Sequence, residues 1–254
     1  MRALLVQSRT PTTYWSFEHS LPFLGKAATY PPLSIATLAA LLPERWELRL
    51  VDLHVAPLED AELAWADVVL VSGMLIQLES MRGVLRRARA MGRRTVAGGP
   101  APTTAPDLFD EADHVFRGEA EGRLDLLVSV LEAPTAGSPR LLSPQGDDRP
   151  DLRLARIPRF DLLDLSKYAS HSLQYSRGCP FHCEFCDIIE IFGRIPRVKS
   201  AEQVVAELDA LRALGARGTL FFVDDNFVGN RRAAAELMPV LRAWQERNGF
   251  PFVF

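Results

Sequence analysis

The sequence is poor in cysteine: it has three in 254 residues, all of them between positions 179 and 186. An odd number confined to one cluster excludes a disulfide framework. No apolar run approaches membrane-spanning length. The opening "MRALLVQSRT" breaks at Gln7, too short for a signal h-region and without a small-residue cleavage site. The cytoplasm is therefore the expected compartment, with no transmembrane segment. Neither sign of charge dominates, since 29 basic and 32 acidic residues leave a net charge of −3. With no basic block either, a general nucleic-acid partner is not expected. Internal repeats and low-complexity tracts are absent too. Hydrophobic residues make up 48% of the chain, enough to build one large core or two modest ones.

The first half alternates short apolar runs with amphipathic ones. "RALLVQ" (2–7), "WELRLVD" (46–52), "DVVLVS" (67–72), "RTVAG" (94–98) and "DHVFRG" (113–118) have the Val/Leu content of parallel strands buried on both faces. Helices are predicted at 31–43, 78–92 and 120–133. The first has Pro where an opening turn tolerates it, and the second has Gly92 as its C-terminal cap. Strands alternating with helices predict an α/β fold, a Rossmann-like doubly wound parallel sheet.

"PTAGSPRLLSPQGDDRPD" (134–151) interrupts this pattern, so the expected organisation is a first domain over 1–133, a linker over 134–167 and a second domain over 168–254. In the second domain a strand is expected at 172–176 and a helix at 200–215, opened by a Ser200/Gln203 capping box. Another strand is expected at 218–226 and another helix at 231–249, with Pro239 inside it. "PFVF" begins a further strand and the sequence stops there. The chain is accordingly expected to be a piece of a longer protein, poorly soluble or inactive alone, with an unpaired sheet edge.

Three chemistries suit "SRGCPFHCEFCDI" (176–188). Structural zinc wants four ligands, and none of His54, His114, His171 and His182 has finger-like spacing. A catalytic zinc needs three protein ligands, but three thiolates on adjacent turns of one loop would be unusual, and an inert loop is the second reading. An iron–sulfur cluster is the third and favoured one, because thiolates are its preferred ligands and three of them leave one iron open. C-x-x-x-C-x-x-C with an aromatic before the last cysteine, after a strand and before a helix, resembles the signature loop of the radical S-adenosylmethionine (SAM) superfamily. That resemblance implies that Cys179, Cys183 and Cys186 ligate a [4Fe–4S] cluster, with Phe185 beside the adenine of SAM. It also places Asp224, Asp225 and Asn226 of "FFVDDN" against the SAM amino group, although the glycine pair common there is missing. The alternative for those three residues is a turn and helix cap. The second domain would then be the first part of a partial (β/α)6 barrel.

Open α/β sheets bind ligands beyond the carboxyl ends of their strands, and small residues there let a large cofactor approach the backbone. Gln7-Ser8, Ser72-Gly73, Gly98-Gly99 and Gly118-Glu119 stand at those ends. "SGML" (72–75), "GGP" (98–100) and "FRGEAE" (116–121) resemble a cobalamin-binding Rossmann domain. This implies cobalamin held by Ser72, Gly73, Gly98, Gly99 and Gly118, with the Ser and Gly-Gly segments flanking its nucleotide tail. His54 in "VDLH" is read as a strand-end histidine and not a cobalt ligand, because position 57 is Pro and the segment follows the second strand. A cobalt without a histidine below suits methyl transfer. The long loop 10–30 carries Tyr14, Trp15, Phe17 and Phe23. These rings could cover the cofactor or line an apolar channel, but the expectation is simple packing. Arg177, Glu190 and Arg194 read as exposed or structural charges.

Beyond these motifs, "SLQYSRGCPFHCEFCDIIEIFGRIPRVKS" and "WADVVLVSGM" are similar to the subgroup that includes the hopanoid C-2 methylase. The resemblance implies a cobalamin-dependent radical SAM C-methyltransferase. It would act on an unactivated carbon of an apolar small molecule or lipid, with electrons from a donor such as flavodoxin or ferredoxin. The alternatives are a cobalamin-dependent radical SAM enzyme without methyl transfer, and a non-enzymatic iron–sulfur or zinc protein.

Overall fold

A computed structural model describes residues 1–135, 137–143 and 149–254; the Trp15 side chain also lies outside the described residues. Six strands build one sheet: β1 (Arg2–Gln7), β2 (Glu47–Asp52), β3 (Val68–Ser72), β4 (Arg94–Gly98), β5 (His114–Phe116) and β6 (Leu141–Leu142). They run parallel in the order β2-β1-β3-β4-β5-β6. The register sets Leu5 beside both Leu50 and Leu70, and Leu70 beside Val96. All five residues of β3 are buried, as its unbroken apolar run requires of a central strand covered on both faces.

The pleat sorts alternate residues into two cores. Helices α1 (Leu33–Leu41) and α5 (Asp125–Glu132) lie on one face; α2 (Asp60–Trp65) and α3 (Leu78–Ala90) lie on the other, and the short α4 (Pro100–Thr104) follows β4. Leu4, Val6, Val69 and Val71 meet Leu63 of α2 and Met81, Val84 and Leu85 of α3. Ala3, Leu5, Val68 and Leu70 meet Ile35 and Ala39 of α1 and Leu127 and Leu131 of α5. Helices on both faces and a strand order that reverses at β1/β3 make this the doubly wound sheet expected, with its crevice at the carboxyl ends of β1 and β3.

The second half holds β7 (His171–Leu173), β8 (Ser176–Arg177), β9 (Arg197–Val198), β10 (Gly218–Phe222) and β11 (Phe252–Val253). It also holds α6 (Ile188–Phe192), α7 (Ala201–Ala213) and α8 (Arg231–Asn248). A parallel sheet runs β11-β10-β7, while β8 and β9 form a separate antiparallel pair. α7 begins with the expected capping box, the Ser200 hydroxyl accepting from the Gln203 amide. Leu33 of α1 and Phe160 of the connecting segment enter the second core beside Leu208, Leu241 and Trp244, so the two sheets are packed together rather than tethered.

Some elements differ from expectation. The 134–151 stretch adds a sixth strand, β6, by pairing with β5, and its residues 136 and 144–148 lie outside the described set. α2 was not expected; it is capped by a Glu59/Glu62 box rather than by Ser or Thr. The strand expected at 172–176 splits into β7 and β8, because the Tyr175 and Ser176 amides turn to a side chain, Asp224, instead of a neighbouring strand.

Leu85 is fully buried between α3 and the sheet. Leu85→Ala is expected to cost ~2–5 kcal/mol, and Ser200→Ala about 1 kcal/mol. Urea denaturation checks the ranking, and equal losses would contradict this account of the core.

Candidate cofactor sites where the two sheets meet

The base of the cysteine loop is gripped by the segment after β10. Asp224 Oδ1 accepts from the amides of Tyr175 (2.7 Å) and Ser176 (2.9 Å), and Asp225 Oδ2 accepts from Gly178 N (3.3 Å). Asn226 Nδ2 donates to Cys179 Sγ at 3.6 Å. Gly178 has φ +95°, and a Cβ there would stand 2.9 Å from the Ile195 carbonyl oxygen and 3.0 Å from that of Gly193. Only glycine fits this approach. Cys179 N donates to Gly193 O and Cys186 N to Cys183 O. All three thiols are free. Cys183 is exposed, Cys179 and Cys186 are half-buried, and the Phe185 ring is 93% exposed. Among the described residues no three His, Cys, Asp or Glu side chains already converge on a metal position. The donor set nevertheless fits a cluster, offering three soft thiols on one tied loop.

Asp224 is half-buried, and its Oδ2 is a buried oxygen without a hydrogen-bond partner. Burial pushes its pKa up to about 6, and the charge of Asp225 adds to this against the two amide bonds. Asp225 is raised as well, again by burial first. The three residues expected to face a ligand thus sit together at the loop base, and Asp224 Oδ1 and Asp225 Oδ2 are spent on its backbone.

A second charged group joins the loop to the first sheet. Arg177 pairs with Glu119 (2.9 Å) and Glu121 (2.8 Å), and Arg197 pairs with Glu119 (2.9 Å); both carboxylates are buried. Burial pushes the Glu121 carboxyl up, but the Arg177 charge and hydrogen bond outweigh it and hold the pKa below the usual value. Arg177 is therefore the structural charge expected. Arg197 carried no signal in the sequence, because nothing in "RIPRVKS" marks it.

At the ends of β3 to β5 lies a cavity of about 210 Å³ between α1 and α5. Ser72, Gly98, Gly99 and Gly118 line it, with Leu38 and Phe116 among its apolar walls, and Gln174 and Arg177 reach it from the second half. Gly99 has φ +95°, and a Cβ there would come within 2.7 Å of Ser72 Oγ. Gly73 faces a separate cleft of about 650 Å³ at the β1/β3 crevice, which Ser72 also borders. Four of the five residues expected to hold cobalamin thus share one cavity, and the fifth lies next door.

His54 borders the larger cleft, but both its nitrogens are engaged. The Thr10 amide donates to Nε2 (3.0 Å), so Nε2 is the acceptor and Nδ1–H donates to Asp52 Oδ1 (2.8 Å). Tyr168 OH donates to the other Asp52 oxygen at 3.0 Å. The expectation that the loop aromatics simply pack fails for Tyr14 and Phe23, which are 84% and 91% exposed; Phe17 borders the cleft. Gln77 was overlooked. It is buried, donates to the Ser8 carbonyl and accepts from Met74 N at 2.8 Å, holding the crevice edge.

Residues 27–128 match the family model of the B12 binding domain. The whole chain is 44% identical to an uncharacterized methyltransferase of Synechocystis and covers 47% of it. With the hopanoid C-2 methylase of Rhodopseudomonas palustris it shares 40% identity over 98% of this chain and 47% of that protein. The chain is a B12-binding-domain protein homologous to the hopanoid methylases. It spans about half the length of these curated relatives. Its fold also matches a solved structure, the cobalamin-dependent S-adenosylmethionine radical enzyme OxsB with aqua-cobalamin and S-adenosylmethionine bound. The TM-score is 0.70 at 18% identity, over 96% of this chain and 36% of that one. The B12-binding domain thus takes in β2 to β5 and the glycines lining the cavity, while the cysteines lie outside the matched range. No described helix is long and apolar enough to cross a membrane.

A carboxyl whose pKa is raised by folding destabilises the native state as pH climbs, because the unfolded chain ionises it more easily. Asp224 is expected to titrate near pH 6. Its contribution to stability is then present below the ordinary carboxylate range and lost as pH rises through 6. Asp224→Asn should flatten that part of the stability–pH curve, and a curve unchanged between about pH 4 and 7 would contradict the assignment.

Proposed function

We propose that this chain carries the two cofactor sites of a cobalamin-dependent radical SAM C-methyltransferase acting on an unactivated carbon of an apolar substrate. The observation that carries the reading is a juxtaposition. Arg177 lines the B12 cavity and stands two residues before Cys179, so the loop with all three thiols rises from the cavity's edge. When bound, the [4Fe–4S] cluster, SAM and cobalamin would supply a reducing electron, a hydrogen-abstracting radical and a methyl group.

The chain's own part is to hold and to shield. Cys179, Cys183 and Cys186 offer the thiolates, and Asp224 and Asp225 fix the backbone from which they project. Gly98, Gly99 and Gly118 leave room for a nucleotide tail against the backbone, and the apolar walls from α1 and α5 exclude water around it. Occupation of both His54 nitrogens supports a cobalt without a histidine ligand, which in turn favours methyl transfer over other radical chemistry. The exposed rings of Tyr14 and Phe23 and the cleft-side ring of Phe17 favour an apolar substrate, of which a hopanoid-like lipid is one kind. An electron donor such as ferredoxin or flavodoxin and a cytoplasmic setting belong to the same proposal.

Anaerobic reconstitution with iron and sulfide tests the cluster. The chain is expected to take up a cluster with visible charge-transfer absorbance, while SAM cleavage is expected only of the longer protein. Serine at any one of the three cysteines should abolish cluster uptake or sharply lower its absorbance. One zinc per chain with no cluster absorbance would overturn the reading. Cobalamin, bound and reduced to Co(II), is expected to show no histidine-nitrogen splitting by electron paramagnetic resonance, with His54→Gln identical to the native chain; splitting lost in that variant would refute the ligation argument.

A further inference from the structure

We infer that the Glu119–Arg177–Glu121 clasp is a positioning device that sets how the cysteine loop stands over the B12 cavity. The inference rests on the proposed function for its meaning, but its geometry belongs to the chain alone. Every arm of the Arg177 guanidinium is used: Nε donates to Gln174 Oε1 (2.7 Å), Nη1 to Glu119 Oε2 (2.9 Å), and Nη2 pairs with Glu121 Oε1 (2.8 Å). Arg197 shares the Glu119 carboxylate, its Nη1 donating to Oε2 (3.1 Å), the oxygen Arg177 also uses, and its Nη2 to Oε1 (2.9 Å). The same two nitrogens donate to the carbonyls of Pro150 (2.7 Å) and Phe192 (2.9 Å).

The placement of these two arginines is what singles the cluster out. Arg177 and Arg197 are register partners across β8 and β9, the pair that closes the loop holding the three cysteines. Like charges directly opposite in an antiparallel pair destabilise it. Here Glu119 sits between them, so the base of the loop closes favourably only when the 118–121 segment of the first sheet is in place. That segment also lines the cavity: Gly118, Glu119 and Glu121 all face it, as does Arg177.

Burial of four charged side chains is a poor way to gain stability, because apolar groups of similar volume usually serve as well. What such a cluster supplies is a unique arrangement, since a shift of one element leaves a buried charge unpaired. Arg177 and Glu119 are accordingly positioning residues: they touch no reacting atom and act through the loop.

The test uses the full chain with Arg177→Lys, which keeps the charge and loses the fork, and Glu121→Gln, a milder change. In the cofactor-free chain, amides of residues 118–121 and 176–179 are expected to exchange hydrogen about 10-fold faster in either variant, with α3 amides unchanged. After loading with iron, sulfide and hydroxocobalamin and reduction, pulsed paramagnetic resonance reads the distance between the cluster and Co(II). The native chain should give one narrow distribution, and the variants a broadened or displaced one. A purely stabilising role would lower the melting temperature and leave that distribution native, which would overturn the inference, as would native exchange in both variants. If the native chain takes up no cluster, the functional reading fails, while the exchange result still supports or overturns the clasp.

Discussion

Arg177 is the interaction on which the rest of the arrangement turns. A guanidinium taken out of water is costly unless its donors are met, and here they are met by carboxylates from another part of the chain. The two halves share apolar packing as well, through Leu33 and Phe160. Apolar contact is tolerant of small slides, however, and an ion cluster with three acceptors around one planar fork is not. The junction is thereby specified at the point where the cavity and the cysteine loop meet.

The cysteine loop shows the same logic on a smaller scale. A strand that ran on through Tyr175 and Ser176 would give their amides to a neighbour and carry the cysteines away from the junction. Asp224 takes both amides instead, the strand ends at Leu173, and Gly178 turns the chain at a φ no other residue adopts easily. The same diversion leaves Asp224 Oδ2 buried without a partner, which is why its carboxyl is hard to ionise. Local structure, electrostatics and the direction of the loop thus follow from one hydrogen-bonding choice.

Much of this was legible in the residues. Runs such as "DVVLVS" read as buried parallel strands because both faces of β3 are covered, and α3 and α7 declared themselves through a charged face and a capping box. The elements that escaped notice were short or unusually capped: α2 uses glutamates as its cap, and the two-residue β6 exists only because β5 offers an edge. Phe23 and Tyr14 escaped for another reason, since an aromatic ring in a long loop looks alike in sequence whether it packs or stands in solvent. His54 read as a strand-end histidine, but the Thr10 amide that occupies its Nε2 comes from a loop 44 residues away.

By itself the sequence determined the doubly wound sheet, the spacing of the thiols and the glycines at the strand ends, because each of these depends on neighbours a few residues apart. Tertiary structure alone decided that Glu119 lies against Arg177 and Arg197, 58 and 78 residues on, and that Asp224 grips a strand 49 residues before it. Such pairings have no periodicity and no motif. They arise from where two cores bring their surfaces together, and only the folded chain brings Ser72, Gly98 and Gly99 to the same cavity as Arg177.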